Sequence, residues 1–184
     1  MKSGDLIALL HDGVPAIGGR WGDLGAGEGA FTLALAELLG SGAHITAVDR
    51  DAGALLRLRD EVGRRYPATG LQILTADFTR PLALTGLDGI VMANSLHFVR
   101  NKAPVLASVR EMLRPGGTLL IVEYGADRGN PWVPHPFSYP SWERLAAEAG
   151  FGGTRLLKTI PSRFLGTLYS AASQTPLASR SVTS

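Results

Sequence analysis

Between residues 20 and 124 short apolar runs alternate with segments of helical period, and this alternation restricts the fold to an α/β sheet with mainly parallel strands. Residues 20–24, 44–49, 71–77, 87–94 and 118–124 read as strands. Phe31, Leu35 and Leu38 recur at helical spacing ahead of Gly40, a residue suited to a left-handed helix end. Asp51 can cap the following helix, whose buried face carries Leu55, Leu58 and Val62 before Pro67 stops it. A further helix is expected over 101–113, closed by Arg114, Pro115, Gly116 and Gly117, and another over 141–151. The link 78–87 holds Pro81 and Gly86 and is too short for a crossover helix, so a turn is expected there. Residues 154–160 and 166–172 read as two strands with a connection of hairpin length, so the last should run antiparallel.

The 184 residues provide one core, and we expect one domain over 1–184. Its parts are an N-terminal helical segment over 1–19, an irregular loop over 125–140 and a polar tail, 174–184, expected to fray. The chain has no Cys, which excludes disulfides, thiolate nucleophiles and Cys-bound zinc. No apolar run reaches the roughly 20 residues of a membrane span, and no basic leader precedes an apolar stretch at Met1, so the cytoplasm is expected. A net charge of +2 with Arg scattered through helices offers no stripe for a phosphate backbone, so nucleic acid is not an expected partner. Oligomeric state leaves no mark in the sequence.

Ligands of open α/β sheets bind at the carboxyl ends of the strands. Asp49, Asp77 and Asn94 end strands on that rim, beside the glycine turn that follows the first strand. Gly25, Gly27 and Ala30 satisfy G-x-G-x-x-G/A, and Asp49 follows where a dinucleotide site places its ribose carboxylate. Any adenosine ligand can use such a turn, so these residues name the sugar and leave the rest open. Asp23 narrows it. A carboxylate beside the cradle repels a pyrophosphate and attracts an ammonium, which points to S-adenosylmethionine. The alternative is an Asp that caps the turn through backbone N–H groups.

The segments "DLGAGEGAFT", "AVDRD", "TADF", "LDGIVMANSLHF" and "LRPGGTLLIVEY", in this order, resemble class I S-adenosylmethionine-dependent methyltransferases of the small-molecule type. The resemblance runs from Trp21 to Tyr124 and implies a Rossmann-like three-layer sandwich, with a seven-stranded, mostly parallel sheet whose last strand is antiparallel. It implies that backbone of Gly25, Ala26, Gly27 and Gly29 wraps the methionine and ribose, with Asp23 on the ammonium. Asp49 would take the ribose hydroxyls and Arg50 lie against adenine. Asp77 would accept from the adenine amino group, Phe78 add packing, and Asn94 face the methionine end. The Trp-Gly pair in the first strand and the short link after Asp77 depart from the family pattern.

Transfer from a sulfonium is an in-line displacement that needs no metal, and no metal site is expected. A base is needed only where the acceptor must lose a proton, as a hydroxyl or an activated carbon must. His97, just past Asn94, is the candidate base, the alternative being a His whose ring bonds neighbouring backbone. His135 is a second candidate. Trp132, His135, Phe137 and Tyr139, in the loop after the fifth strand, are candidates to line the acceptor pocket, or else to cover the last helix and sheet. "PSRFLGTLY" could return a second edge of that pocket. Other readings are an NAD-binding oxidoreductase, disfavoured by Asp23, and a non-catalytic S-adenosylmethionine-binding module. An RNA methyltransferase is disfavoured because "ANSLHF" lacks the Pro-Pro-aromatic grip on a flipped base.

Overall fold

The computed structural model describes residues 2–178. Its centre is a seven-stranded sheet of β1 (Gly19–Leu24), β2 (Ala43–Asp49), β3 (Gly70–Thr75), β4 (Leu87–Ala93), β5 (Leu113–Tyr124), β6 (Gly152–Ser162) and β7 (Gly166–Gln174), in spatial order 3-2-1-4-5-7-6. All pairs are parallel except the two made by β7, which inserts antiparallel between β5 and β6. The expected sandwich with its reversed last strand is therefore what the chain forms. The order reverses between β1 and β4, and that switch point opens a crevice at the carboxyl ends of the strands.

Helices α1 (Ser3–Leu10), α2 (Ala30–Leu39) and α3 (Ala52–Arg65) cover one face. There Leu9, Leu10, Phe31 and Leu35 pack on Trp21, Ile45, Val91 and Leu120, while Leu55, Leu58 and Val62 of α3 pack on Ala47. Helices α4 (Ala103–Met112) and α5 (Tyr139–Glu148) cover the other, where Val105, Leu106, Val109, Trp142 and Ala146 meet Leu24, Ile90, Met92, Leu119 and Ile121. No helix joins β3 to β4, as the short link requires. The sheet surface left open beside that link is polar, with Arg20, His44, Thr46 and Gln72 on the strands where an apolar face would otherwise need a cover.

Several boundaries differ from expectation. In α2 the fully buried third residue is Leu39, and Leu38 is only half-buried, because the helix turns its Phe31–Leu35 stripe toward Trp21. Arg114–Gly117 does not simply close α4. The helix stops at Met112, Leu113 already pairs with Leu87, and the chain bulges before Thr118 resumes the ladder opposite Gly89. Helix α5 begins at Tyr139, earlier than expected, which leaves Pro140 in its first turn, where a missing N–H costs nothing. The expected fraying from Gln174 is overturned at its start. Gln174 pairs with both Thr118 and Gly152, and the Thr175 hydroxyl donates to the Arg114 carbonyl at 2.7 Å. The rest of that expectation, 179–184, lies outside the described residues.

Gly29 shows how tightly the site turn is tied to the helices. Its φ of +81° lies in the left-handed region, and a Cβ there would overlap the Leu58 side chain of α3. We expect Gly29→Ala to lower unfolding free energy by about 2–4 kcal/mol, the combined cost of a left-handed alanine and an overpacked contact. Urea unfolding that shows a loss of less than about 1 kcal/mol would contradict this.

Candidate active site

Strand β1 ends at Leu24, and the chain then crosses above β2, with the N–H groups of Gly25 and Ala26 both donating to the Val48 carbonyl at 2.8 and 3.0 Å. This doubled bond bends the turn over the strand ends. Gly25, at φ +82°, packs directly on Ser95, whose hydroxyl donates to the Leu24 carbonyl at 2.8 Å. Gly27, at φ +53°, has open space where a side chain would stand, and its N–H donates to Asp49 Oδ2 at 2.8 Å. The turn is thus anchored on its inner side and bare on its outer side.

Gly25, Gly27, Asp49, Arg50, Asp77, Phe78 and Asn94 all line one cleft of about 430 Å³, closed by Ser95, Phe98 and Val99. Seven of the ten cofactor residues expected from the sequence therefore surround one space. Ala26 and Gly29 belong to the supporting turn, and Asp23 lies below it. Asp49 accepts one bond on each oxygen, from Gly27 N–H and from Asp51 N–H at 2.9 Å, and each oxygen keeps a lone pair for a ribose hydroxyl. Asp77 accepts from the Thr79 hydroxyl at 2.7 Å and the Thr79 N–H at 2.9 Å on the same oxygen, and these bonds hold its carboxyl below the usual range. Its second oxygen remains available.

Asp23 is 1% exposed, and its only bond among the described residues comes from the Thr32 hydroxyl at 2.6 Å. Burial pushes its pKa up to about 6, against the lowering effect of Thr32, and the charge of Asp49 adds to the rise. No cation compensates it among the described residues, so this carboxylate suits an ammonium brought by a ligand and does not serve as a turn cap. Asn94 supports the same conclusion. It stands at φ +51°, and its side-chain Oδ1 is buried without a partner.

Asn94 also lines a second, larger pocket of about 600 Å³, with Asp5, Tyr124, Ile160, Phe164 and Leu168 among its other walls. Sequence reasoning missed Asp5 and Tyr124 here; Pro161, Ser162, Arg163, Phe164 and Leu168 of "PSRFLGTLY" line this pocket as well. His97 lies in the 3-10 turn Leu96–Phe98 and is 2% exposed. Its Nδ1 lies 2.8 Å from Glu123 Oε2, and Glu123 Oε1 accepts from the N–H groups of Leu96 and His97 at 2.9 and 3.2 Å. Its ring lies between Phe98, at 4.3 Å on the wall of the first cleft, and Tyr124, at 5.5 Å on the wall of the second. Glu123 had no separate signal in the sequence, since within "TLLIVEY" it reads only as a strand residue.

The loop candidates do not gather at this site. Phe137 is buried against Trp142 in the core beneath α5, and Tyr139 packs on Tyr169 while its hydroxyl donates to Glu143. Trp132 is 71% exposed, and His135 bonds through its backbone to His97. Phe137 and Tyr139 follow the covering alternative, because they find Trp142 and Tyr169 to pack against, while Trp132 is left on the surface.

The family model for a methyltransferase domain matches residues 23–119, from the buried Asp23 to the middle of β5. The chain belongs to this methyltransferase family. Its cofactor is S-adenosylmethionine, and the residues present fit it: an uncompensated carboxylate for the ammonium, a bare glycine cradle and free acceptors for ribose and adenine. This methyltransferase is 27% identical over 165 residues to a highly reducing polyketide synthase of Calcarisporium arbuscula, covering 77% of this chain and 7% of that protein. Among solved structures it resembles a SAM-dependent methyltransferase of Methanosarcina mazei, with a TM-score of 0.70 and 19% identity over 91% of this chain and 97% of that one. The CurJ carbon methyltransferase gives 0.71 and 20%, covering 89% of this chain and 50% of that one.

The raised pKa of Asp23 makes stability and cofactor affinity respond oppositely to pH. The folded protein holds this proton up to about pH 6 and the unfolded chain releases it near 3.8, so stability falls as pH rises between the two values and stays lower above them. We expect Asp23→Asn to raise the Tm of the cofactor-free methyltransferase at pH 7.5, by up to about 3 kcal/mol of recovered stability. The same variant should bind S-adenosylhomocysteine at least about tenfold more weakly by calorimetry. Weaker binding together with a lower Tm would refute the account of the uncompensated charge.

Proposed function

We propose that this methyltransferase moves a methyl group to an activated carbon of a small-molecule acceptor, with His97 as the base that frees the carbon. The observation that carries the reading is the buried His97–Glu123 pair, 2.8 Å apart, whose chain neighbours Phe98 and Tyr124 line the first cleft and the second pocket. A carboxylate can only accept, so in the neutral imidazole Nδ1 carries the hydrogen and Nε2 holds the lone pair. Nε2 takes no hydrogen bond from a described residue. An oxygen or nitrogen acceptor can shed its proton late or to water, whereas a carbon must lose it before it becomes a nucleophile. A dedicated base with a buried carboxylate partner answers that need. The relatives support the same chemistry, one being a polyketide synthase and another a carbon methyltransferase.

S-adenosylmethionine, when bound, supplies a methyl already activated on a sulfonium. The chain's own residues do the rest. Asp23, Asp49 and Asp77 fix the cofactor along the first cleft, and Asn94 stands where that cleft meets the second pocket. Ile160, Phe164 and Leu168 give the acceptor an apolar wall, which suits a small molecule and not a polynucleotide. His97 takes the acceptor's C–H proton on Nε2, and Glu123 stabilises the imidazolium that results. The carbon keeps the electron pair with which it accepts the methyl. Holding the two centres at near-attack distance can supply roughly 7–11 kcal/mol.

We also read 1–184 as one methyltransferase domain working in the cytoplasm. Helix α1 packs on α2 and its Asp5 reaches the acceptor pocket, which supports including the N-terminal segment. Among the described residues no helix is long and apolar enough to cross a membrane.

A panel of 1,3-dicarbonyl compounds, phenols and amines, read by mass spectrometry, should show methylation at the carbon between two carbonyls. His97→Ala and Glu123→Gln should each lower kcat by about 10²–10⁴-fold and leave S-adenosylhomocysteine affinity within a few-fold. Methyl transfer confined to oxygen or nitrogen, or full activity in His97→Ala, would overturn the reading.

A further inference from the structure

Tyrosine hydroxyls that leave water generally find a partner in the folded chain. Three of the four tyrosines here do so: Tyr66 donates to Glu37 at 2.8 Å, Tyr139 to Glu143 at 2.9 Å and Tyr169 to the Phe137 carbonyl at 3.0 Å. Tyr124, the fourth, is half-buried at the end of β5, and its hydroxyl bonds to no described residue. The oxygen is not sealed in either, since the buried side-chain atoms left without a partner are Asn94 Oδ1, Trp142 Nε1 and Ser170 Oγ. This is also the tyrosine that lines the second pocket.

Glu123 and Tyr124 are consecutive on a strand, so their side chains leave opposite faces of the sheet. Both reach the same imidazole. Glu123 holds Nδ1 at 2.8 Å, and the Tyr124 ring meets the His97 ring edge-on, with centroids 5.5 Å apart and planes at 69°. Phe164 packs on the Tyr124 ring at 6.2 Å, so that ring is fixed by two aromatic contacts.

The geometry points to Tyr124 as a further catalytic residue, whose hydroxyl donates to the acceptor's carbonyl oxygen while the adjacent carbon gives its proton to His97. This rests on the reading of His97 as the base.

When that proton leaves, the C–H pair becomes a C=C bond and the carbonyl π pair moves onto oxygen. The charge then falls on an atom surrounded by Ile160, Phe164 and Leu168, where an unpaired anion is costly and a fixed donor is worth most. Tyr124 supplies the donor and keeps its own proton, because burial and the Glu123 carboxylate push the phenol above its ordinary pKa. As the carbon takes the methyl, the oxygen pair returns to the carbonyl and the S–C pair stays on sulfur. The other polar walls are placed differently. Asp5 and Arg163 are exposed, Asp5 already accepts from the Lys2 N–H at 3.1 Å, and the Ser162 hydroxyl is engaged within the hairpin by the Phe164 N–H at 3.2 Å. None of these touches the His97 ring as Tyr124 does.

The test is Tyr124→Phe in the full-length chain, which removes one oxygen and keeps the ring packing, so Tm should not change. The probe is dimedone, a cyclic 1,3-diketone that is an enolate at pH 7.5 without help from any base. With S-adenosylhomocysteine bound, calorimetry should show dimedone binding at least about fivefold more weakly to the variant. Turnover of an uncharged 1,3-dicarbonyl acceptor should fall about 10²-fold in kcat, with cofactor affinity unchanged. Equal binding of dimedone by the two proteins would overturn the proposal, as would a wild-type chain that does not bind it. A lower Tm with unchanged dimedone affinity would reduce Tyr124 to a packing residue. Because dimedone needs no deprotonation, its binding reports on Tyr124 even where His97→Ala stays active and the base reading fails. Loss of turnover in His97→Ala beside equal dimedone binding would instead keep the base and discard Tyr124.

Discussion

The buried carboxylate of Glu123 organises the reactive end of this protein. It stands on β5, between β4 and β7, and accepts from two consecutive backbone N–H groups and one ring nitrogen of the segment that follows β4. Those bonds turn the chain sharply after Asn94, which explains why Asn94 occupies a left-handed conformation and why Ser95 comes to lie under the glycine turn. Removing the carboxylate would leave two buried N–H groups and an imidazole without partners, a cost that no neighbouring acceptor could absorb. The turn that lies between the first cleft and the second pocket is therefore built outward from one side chain.

Much of the fold could be read in the order of the residues, because hydrophobic periodicity reports local geometry directly. The five central strands and the helices between them follow from it, as does the reversed β7, since a connection of hairpin length permits no parallel return. What periodicity could not reveal were features decided by long-range contact. The bulge at Arg114–Gly117 exists because Thr118 must pair with Gly89 while Leu113 already meets Leu87. The ordering of Thr175 depends on carbonyls of Arg114 and Gly117, far back in the chain.

The cofactor side of the site was legible for a similar reason. Its residues are strand ends and a glycine turn, and the topology of the sheet alone brings them together. The second pocket was not. Tyr124 and Asp5 arrive there from distant parts of the chain, and of the aromatics of the 130–139 loop, chosen by composition, Phe137 and Tyr139 turn inward because they find Trp142 and Tyr169 to pack against, while Trp132 stays exposed. Composition shows that a loop is apolar, but not which surface it covers.

Asp23 and Glu123 are equally buried, yet they are solvated by the protein in different degrees, and that difference separates binding from chemistry. Glu123 has three donors built into the fold, and its charge is compensated before any ligand arrives. Asp23 has one donor, from Thr32, and a second carboxylate nearby that raises its pKa further. A charge left short of partners makes the folded chain less stable than it could be, and the deficit is made good by a cationic ligand. The His97–Glu123 pair is thus preorganised by the fold itself, whereas Asp23 stays short of partners until a cationic group reaches it.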